Sequence, residues 1–263
     1  MTSVETKKEL NDEFSGIKYI LTSGMRSKLL LAMYGNRKNL DELRNELKKP
    51  SATILHGLKE LENINLIKKV QKYYELTSNG YLLTTNMVKL IENWYAVNKS
   101  KLFWNSHDLS GIPDEILNDV YLLKNAEYVT STTSDLSNAY NTYIKLISKS
   151  RELKIIFPIY SESLLKHLIK LLKGNNLKKL ELITNEEIFN SINANDTFKK
   201  ELLNNKKVKI KCIEKKLKIF LTQGDGFMAM TLFFKDGHYD DSQVLIAKDS
   251  NAQKWAKMLK KIY

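Results

Sequence analysis

Cysteine is almost missing from this chain: Cys212 stands alone, so no internal disulfide can brace the fold, and a lone thiol fits a reducing cytoplasm. Long apolar runs are missing too. None approaches the roughly 20 residues of a membrane span, and the opening MTSVETKKELNDEF is polar and charged, unlike a signal peptide or an anchor. The four histidines, His56, His107, His167 and His238, are scattered, with no metal-binding pair four apart on a helix. There is no glycine-rich phosphate loop and no G-x-S-x-G elbow. Cys212 falls within an alternating strand pattern, where packing is its expected work. These absences argue against catalysis, a metal, a cofactor or a membrane partner.

What is present is a globular composition, 43% hydrophobic and 27% charged, with a net charge of +12. At 263 residues the chain can form one large domain or two ordinary ones. The positive balance invites a polyanion, and nucleic acid is the obvious one. Charge does not locate the surface, however. Residues 17–77 hold twelve Lys+Arg against six Asp+Glu, while residues 199–218 carry nine lysines of their own.

Pattern does locate it. Residues 1–14 read as frayed or only locally helical. Ser23 caps a helix over residues 25–34, stopped by Gly35-Asn36. Leu40, Leu43 and Leu47 mark one face of a second helix, residues 39–48, with Asn39 as its cap and Asp41 and Glu42 in its first turn. Pro50 forces a corner, where Lys48-Lys49 stand in place of the glycine of many such corners. A third helix, residues 51–63, repeats the rhythm at Ile54, Leu58 and Leu61, and two short strands, 66–70 and 73–76, flank Gln71-Lys72 as a hairpin would. Helix, turn, helix and two-stranded wing outline a winged helix-turn-helix over residues 15–78. With Ile54, Leu58 and Leu61 inward, Ala52, Leu55, His56 and Lys59 face outward, able to enter a major groove. Ser51 and Thr53 at the helix start, Arg44 and Lys49 nearby, and Lys69 and Lys72 on the wing are the expected backbone contacts to double-stranded DNA.

Helical rhythm resumes from Ser78 to about Trp104. Leu83, Met87, Leu90, Trp94 and Val97 are spaced 4, 3, 4, 3, which reads as a coiled-coil seam joining a homodimer or as a helix packed across its own second domain. A dimer would set two recognition helices about one DNA turn apart. Residues 103–113, with a Gly and a Pro, read as a junction that closes a connecting segment, 79–113, and give His107 and Asp108 capping and turn work.

Residues 114–263 alternate between strand and helix. Strands fall at 127–132, 153–157, 177–183, 208–213, 217–222 and 227–234, and helices at 135–149, 161–173, 185–204 and 250–262. The fold class is thus mixed: a mainly helical winged head plus an α/β effector domain. The crevice beyond the strands' carboxyl ends nominates Tyr160 and Ser161, Thr184 and Glu186, and Thr222 and Asp225 for a small-molecule effector. Asp236 to Asp241 groups carboxylates with His238, and a surface turn explains it better than a metal site.

Certain runs carry a resemblance to a known family. They are Ile20-Leu21-Thr22-Ser23, Thr53-Ile54-Leu55-His56, Leu58-Lys59-Glu60-Leu61, Glu75-Leu76-Thr77 with Gly80, Phe103-Trp104, His107-Asp108-Leu109-Ser110-Gly111-Ile112-Pro113, Phe233-Phe234-Lys235-Asp236-Gly237, and Tyr239-Asp240. In these the chain resembles an archaeal, mainly methanogen, family of transcriptional regulators that join a winged helix-turn-helix to a C-terminal domain named after a methanogenesis regulatory protein. The resemblance implies a sequence-specific transcription factor with a C-terminal effector or dimerisation domain. That domain is also similar to the sensor domains of sugar-responsive archaeal regulators, which have a degenerate phospholipase-D-like fold. The H-x-K signature of those enzymes is absent, since His167 is followed by Leu168-Ile169-Lys170. The leading expectation is a homodimeric, cytoplasmic DNA-binding regulator that senses a small molecule. Its rivals are a phosphodiesterase-like enzyme docked on nucleic acid through the winged helix, and a winged helix serving as a protein-interaction module.

Overall fold

The computed structural model describes residues 3–263 and divides after Ile91 into two compact units. In the first, α1 spans Ser3–Leu21 and α2 spans Gly24–Ala32. Residues 3–14, expected to be frayed or only locally helical, are continuous with α1, because a helix nucleated at the packed turn around Ile20 extends outward at little further cost; Met1 and Thr2 lie outside the described residues. The Ser23 hydroxyl accepts from the Arg26 N–H at 3.3 Å, so the expected cap starts α2. Next come β1 (Lys38–Asn39), α3 (Leu40–Leu47), α4 (Ser51–Asn63), β2 (Ile67–Val70) and β3 (Tyr73–Leu76). The three strands form a sheet in the order β1-β3-β2, and the hairpin turns at Gln71 and Lys72 between the paired Val70 and Tyr73. Asn39 and Glu42 cap α3 reciprocally: the Asn39 side chain accepts from the Glu42 N–H at 3.0 Å, and the Glu42 carboxylate accepts from the Asn39 N–H at 2.7 Å.

A core of Leu29, Leu30, Leu43, Ile54, Leu58, Leu61, Ile67 and Tyr74 seats these elements. Burying each such aliphatic side chain is worth about 1.5–3 kcal/mol, which is what fixes the roll of α4. Gly57 lets α4 approach α2 closely, since a Cβ there would stand 2.8 Å from Leu29 Cδ1. The long helix α5 (Ser78–Asn98) follows the wing. Its expected seam is divided. Leu83 and Met87 pack into the winged-helix core, Val97 packs against the core of the second unit, and Leu90 and Trp94 are exposed. A 4-3 spacing serves an internal core as readily as a partner helix, and here it serves cores at Leu83, Met87 and Val97 while Leu90 and Trp94 stay at the surface.

The second unit opens with α6 (Lys101–Ser106), β4 (His107–Asp108) and α7 (Asp114–Leu117). The expected junction at 103–113 is therefore structured. Phe103, Trp104 and Ile112 are buried in a core, and β4 pairs with a later strand. After it come β5 (Glu127–Thr130), α8 (Asn138–Ile147), β6 (Glu152–Ile156), α9 (Glu162–Lys173), β7 (Lys179–Asn185), α10 (Glu186–Ala194) and α11 (Asp196–Phe198), then β8 (Val208–Ile213), β9 (Ile219–Gly224), β10 (Phe227–Phe234), β11 (Gln243–Ala247) and α12 (Ser250–Ile262). The sheet runs β5-β11-β10-β9-β6-β7-β8, with β4 on the side of β10. The strands β6, β7 and β8 are mutually parallel and the remaining pairings antiparallel.

Alternation along the strands separates two cores. Leu153, Ile155, Leu180, Leu182, Phe220 and Ala229 face α8, α9 and α10, while Ile156, Ile183, Leu221, Met228 and Met230 face α12 and the segments around α6 and α7. The fold is thus the expected mixture of a helical winged head and an α/β domain. β1, β4 and β11 are additions to the strands read from sequence.

Lys48 closes α3 with φ 52° and ψ 48°, the left-handed conformation that glycine adopts freely, while its N–H donates to the Arg44 carbonyl at 2.9 Å. Its side chain is exposed. Lys48→Gly should therefore raise the unfolding free energy of the winged unit, by about 1 kcal/mol after the added flexibility of the unfolded chain is counted. Urea denaturation reads this, and a destabilised variant would show that the lysine is not strained.

Candidate nucleic-acid interface and effector pocket

The outward face of α4 carries the residues expected there: Ala52, Thr53, Leu55, His56 and Lys59 are exposed and Ser51 is half-buried. Leu55, at 42% exposure, belongs to this face and not to a widened core. Pro50 precedes α4 and no side chain caps its first turn, so its leading N–H groups are left for an outside acceptor. One network fixes the helix from behind. The Glu60 carboxylate accepts from Arg26 Nη1 at 2.9 Å and from the Tyr19 hydroxyl at 3.2 Å, and it stands 3.6 Å from His56 Nε2. Burial pushes the Glu60 carboxyl up, but the hydrogen bond and charge of Arg26 outweigh this and hold it below the usual carboxylate range. His56 is thereby steered along the helix toward Glu60.

On the wing, the Lys69 and Lys72 ammonium groups lie 5.5 Å and 5.6 Å from the ring centres of Tyr74 and Tyr73. Arg37, absent from the expected contacts, lies over the ring of Tyr73 at 4.8 Å. The basic pair Arg37-Lys38 just before the Asn39 cap was the signal for it. Arg44 sits 3.5 Å from Asp41, and Lys49 is exposed at the corner before α4.

In the second unit the nominated effector residues do not converge. Tyr160 and Ser161 line a hollow of about 300 Å³ beyond the carboxyl end of β6. Thr184 is buried and its hydroxyl donates to the Phe157 carbonyl at 2.9 Å. Thr222 is buried behind the hollow, its hydroxyl 2.8 Å from that of Tyr143. Glu186 is exposed in the first turn of α10, and Asp225 accepts from the Arg151 N–H at 2.7 Å. The cause is strand direction. β9 runs antiparallel to β6, so its carboxyl end lies at the opposite edge of the sheet, beside a second hollow lined by Glu152, Lys154, Lys257 and Lys260. There burial, and then the neighbouring Lys154, push the Lys260 amine down to about 8.

What does converge on the first hollow is aromatic: Tyr140 and Tyr143 from α8, Tyr160, Phe220 at the start of β9, and Tyr239. Burial pushes the Tyr143 and Tyr239 hydroxyls up, so both stay neutral across the physiological range. The Tyr239 segment is held by its neighbour. Asp240 is 1% exposed, and its carboxylate accepts from the Ser242 N–H at 2.9 Å, the Ser242 hydroxyl at 2.6 Å and the Gln243 side-chain amide at 3.2 Å. It also lies 3.0 Å from Nε2 of His107, whose other ring nitrogen donates to the Phe103 carbonyl. His107 is buried and stacks on Phe234, with 5.1 Å between ring centres. It is thus no mere turn residue. Burial pushes the Asp240 carboxyl up, but the His107 and Ser242 hydrogen bonds prevail and hold it below the usual carboxylate range. Asp236 to His238 do form the expected surface turn, with Gly237 at φ 93°. Among the described residues no group of three or more His, Cys, Asp or Glu is placed to hold a metal ion, and no helix is long and apolar enough to cross a membrane. His167 stands 2.9 Å from the Ser148 hydroxyl, with no H-x-K partner.

Two family descriptions match the chain: methanogenesis regulatory protein FilR1, N-terminal domain, over residues 14–94, and its middle domain over residues 136–263. The FilR1 protein of Methanothrix harundinacea (strain 6Ac) is 23% identical over 258 residues, which cover 96% of this chain and 57% of that protein. The chain thus spans little more than half the length of that relative. A solved structure of TrmBL2, an archaeal chromatin protein with a novel mode of DNA binding, aligns at a TM-score of 0.38 and 12% identity, covering 90% of this chain and 87% of the other. A riboflavin-derivative dimethyltransferase, RosA of Streptomyces davawensis, aligns at 0.26 and 10% identity, covering 81% and 68%. Likenesses at such scores carry no argument about function in this chain.

Asp108, which continues β4 from His107, bonds to Lys218 Nζ at 2.8 Å and accepts from the Ser110 N–H at 2.9 Å, and these contacts hold its carboxyl down at about 2. A carboxyl whose pKa is lower in the folded than in the unfolded chain contributes its full stabilisation above the unfolded value, near 3.8, and loses it as pH falls toward about 2. Stability should therefore drop between about pH 4 and 2, and Asp108→Asn should flatten part of that limb. Denaturant midpoints measured from pH 2 to 5 read this; an unchanged limb in the variant would rule out Asp108 as a contributor.

Proposed function

As the chain belongs to the methanogenesis regulatory protein FilR1 family, carrying its N-terminal and middle domains, we propose that it is a sequence-specific DNA-binding transcriptional regulator acting in the cytoplasm. The observation that carries this reading is α4. Its outward face of Ala52, Leu55, His56 and Lys59 is exposed, its back is locked by Ile54, Gly57, Leu58 and Leu61, and its first turn has no side-chain cap. In this reading α4 enters the major groove. His56 meets a base edge, Ala52 and Leu55 contact thymine methyl groups, and Lys59 takes a phosphate. Ser51, Thr53 and the leading N–H groups of α4 hold the backbone with Arg44 and Lys49, and Arg37, Lys69 and Lys72 carry the wing along it.

The acting form is a homodimer, with α5 as the joining element. Supporting this are the exposed Leu82, Leu90 and Ile91, followed on the same helix by Trp94 and Tyr95, and an apolar groove of about 130 Å³ lined by Ile17, Leu21, Leu83 and Leu90. So much outward apolar surface on one helix is more than an isolated surface helix ordinarily shows. The hollow beyond β6 is the effector site, of a size for a small metabolite.

His56→Ala and Lys59→Ala test the helix assignment. Each should weaken binding to a selected DNA site, His56→Ala by roughly 5- to 100-fold with relaxed sequence preference, and Lys59→Ala with a salt slope reduced by about one unit. Unchanged affinity in both variants would mean that a different surface reads the DNA, and binding that shows no sequence preference at any salt concentration would sink the specific reading.

Leu90 is 62% exposed, so Leu90→Glu costs the fold little. In sedimentation velocity it should convert a dimer to a monomer and lower affinity for a two-half-site DNA. A variant that sediments like the wild type would place the dimer contact elsewhere.

A further inference from the structure

We propose that the hollow beyond β6 takes a small organic cation of the alkylammonium class, with Asp241 as its counter-charge and the tyrosine-rich wall as its apolar seat. This rests on reading the hollow as the effector site. Two observations separate a cation from other small ligands. The first is charge. The chain carries 42 Lys+Arg, yet among the described residues none lines this hollow, whereas one carboxylate, Asp241, does. Asp241 is exposed and forms no ion pair among the described residues. A phosphate or carboxylate ligand would enter facing that charge with no cation to meet it.

The second observation is that most uncharged polar groups of the wall are already used within the protein, the exceptions being the hydroxyls of the more exposed Tyr140 and Tyr160. The Tyr143 hydroxyl bonds to Thr222, and the Tyr239 hydroxyl to Thr231. The Ser161 hydroxyl caps α9 by accepting from the Leu164 N–H and meets Ser163 at 3.2 Å, and the Gln243 amide donates to Asp240. A polyhydroxylated ligand needs several free donors and acceptors in the wall, and each of these is committed. What is left over is ring surface, a single carboxylate and the two tyrosine hydroxyls of Tyr140 and Tyr160, too few polar groups to hold a polyol. Tyr143, Phe220 and Tyr239 pack on one another, with ring centres 5.6 Å and 6.2 Å apart, so the wall is continuous. Aromatic walls with a negative charge at the rim are the chemistry that retains quaternary and alkylated ammonium groups in water.

The test is calorimetric titration of the full chain with four probes: choline, its uncharged isostere 3,3-dimethylbutan-1-ol, sorbitol and acetate. Choline should bind saturably and at least roughly tenfold more tightly than the isostere, the range a desolvated cation–π contact and counter-charge supply. Asp241→Asn, an exposed substitution checked for folding by circular dichroism, should remove most of that preference. Equal binding of choline and the isostere, or an Asp241→Asn variant that still prefers choline, overturns the proposal. Tighter binding of sorbitol or acetate overturns the ligand class while leaving the hollow a ligand site. If no probe binds to protein that still binds DNA in the same preparation, the reading of the hollow as an effector site falls as well.

Discussion

The second unit depends on one buried carboxylate. An unpaired charge with 1% exposure would be strongly destabilising, and Asp240 escapes that only because Ser242, Gln243 and His107 surround it with donors and a partner ring. Each partner is fixed in return. His107 is held beside β10, where β4 pairs with Phe233 and Phe234. Tyr239 and Gln243, on either side of the carboxylate in sequence, are held at the wall of the hollow. One group thus joins the start of the unit to the strand pair that shapes its cavity. The runs that carry the family resemblance, His107 to Pro113, Phe233 to Gly237 and Tyr239-Asp240, are the segments that meet here.

The sheet imposes a second constraint. Its β6, β7 and β8 run parallel, and β9 to β11 run against their neighbours, so residues at the ends of successive strands are sent to opposite edges. The aromatic hollow lies where β6 ends and β9 begins, and the lysine-lined hollow lies where β6 begins and β9 ends. Two cavities with opposite charge character follow from one reversal of direction. The alternation of Ile155 and Ile156, or of Phe220 and Leu221, puts the hollow on one face of the sheet and α12 on the other.

What was legible in the sequence is what is local. The caps at Ser23 and Asn39, the inward triad Ile54, Leu58 and Leu61, and the Gln71-Lys72 turn are decided by residues within a helix turn or a hairpin of one another. The outward face of α4 follows from that triad with no further information. The hollow could not be read in the same way. Tyr143 and Thr222 are 79 residues apart, and His107 and Asp240 are 133 apart. Assuming that every strand ends at the same edge misplaced Asp225, and only the pairing of β9 with β6 corrects it. The seam on α5 was legible as a period but not as a destination, because Met87 facing a core and Leu90 facing solvent satisfy the same spacing.

The winged head also shows why a lysine-rich composition says little about recognition. On α4 itself the one lysine is Lys59, and Glu60 and Glu62 share the helix. Arg26, sitting behind α4, neutralises Glu60. The helix is therefore close to neutral where it would meet bases, and its outward face is mostly Ala52, Leu55 and the His56 ring. The cations concentrate instead at its flanks, at Lys49 before it and at Arg37, Lys69 and Lys72 on the wing. In the proposed DNA complex, phosphate attraction belongs to those flanks and falls with salt, whereas contacts to base edges and methyl groups belong to the neutral face and do not. On that proposal the two lie on different elements, so affinity and sequence preference are set by different residues.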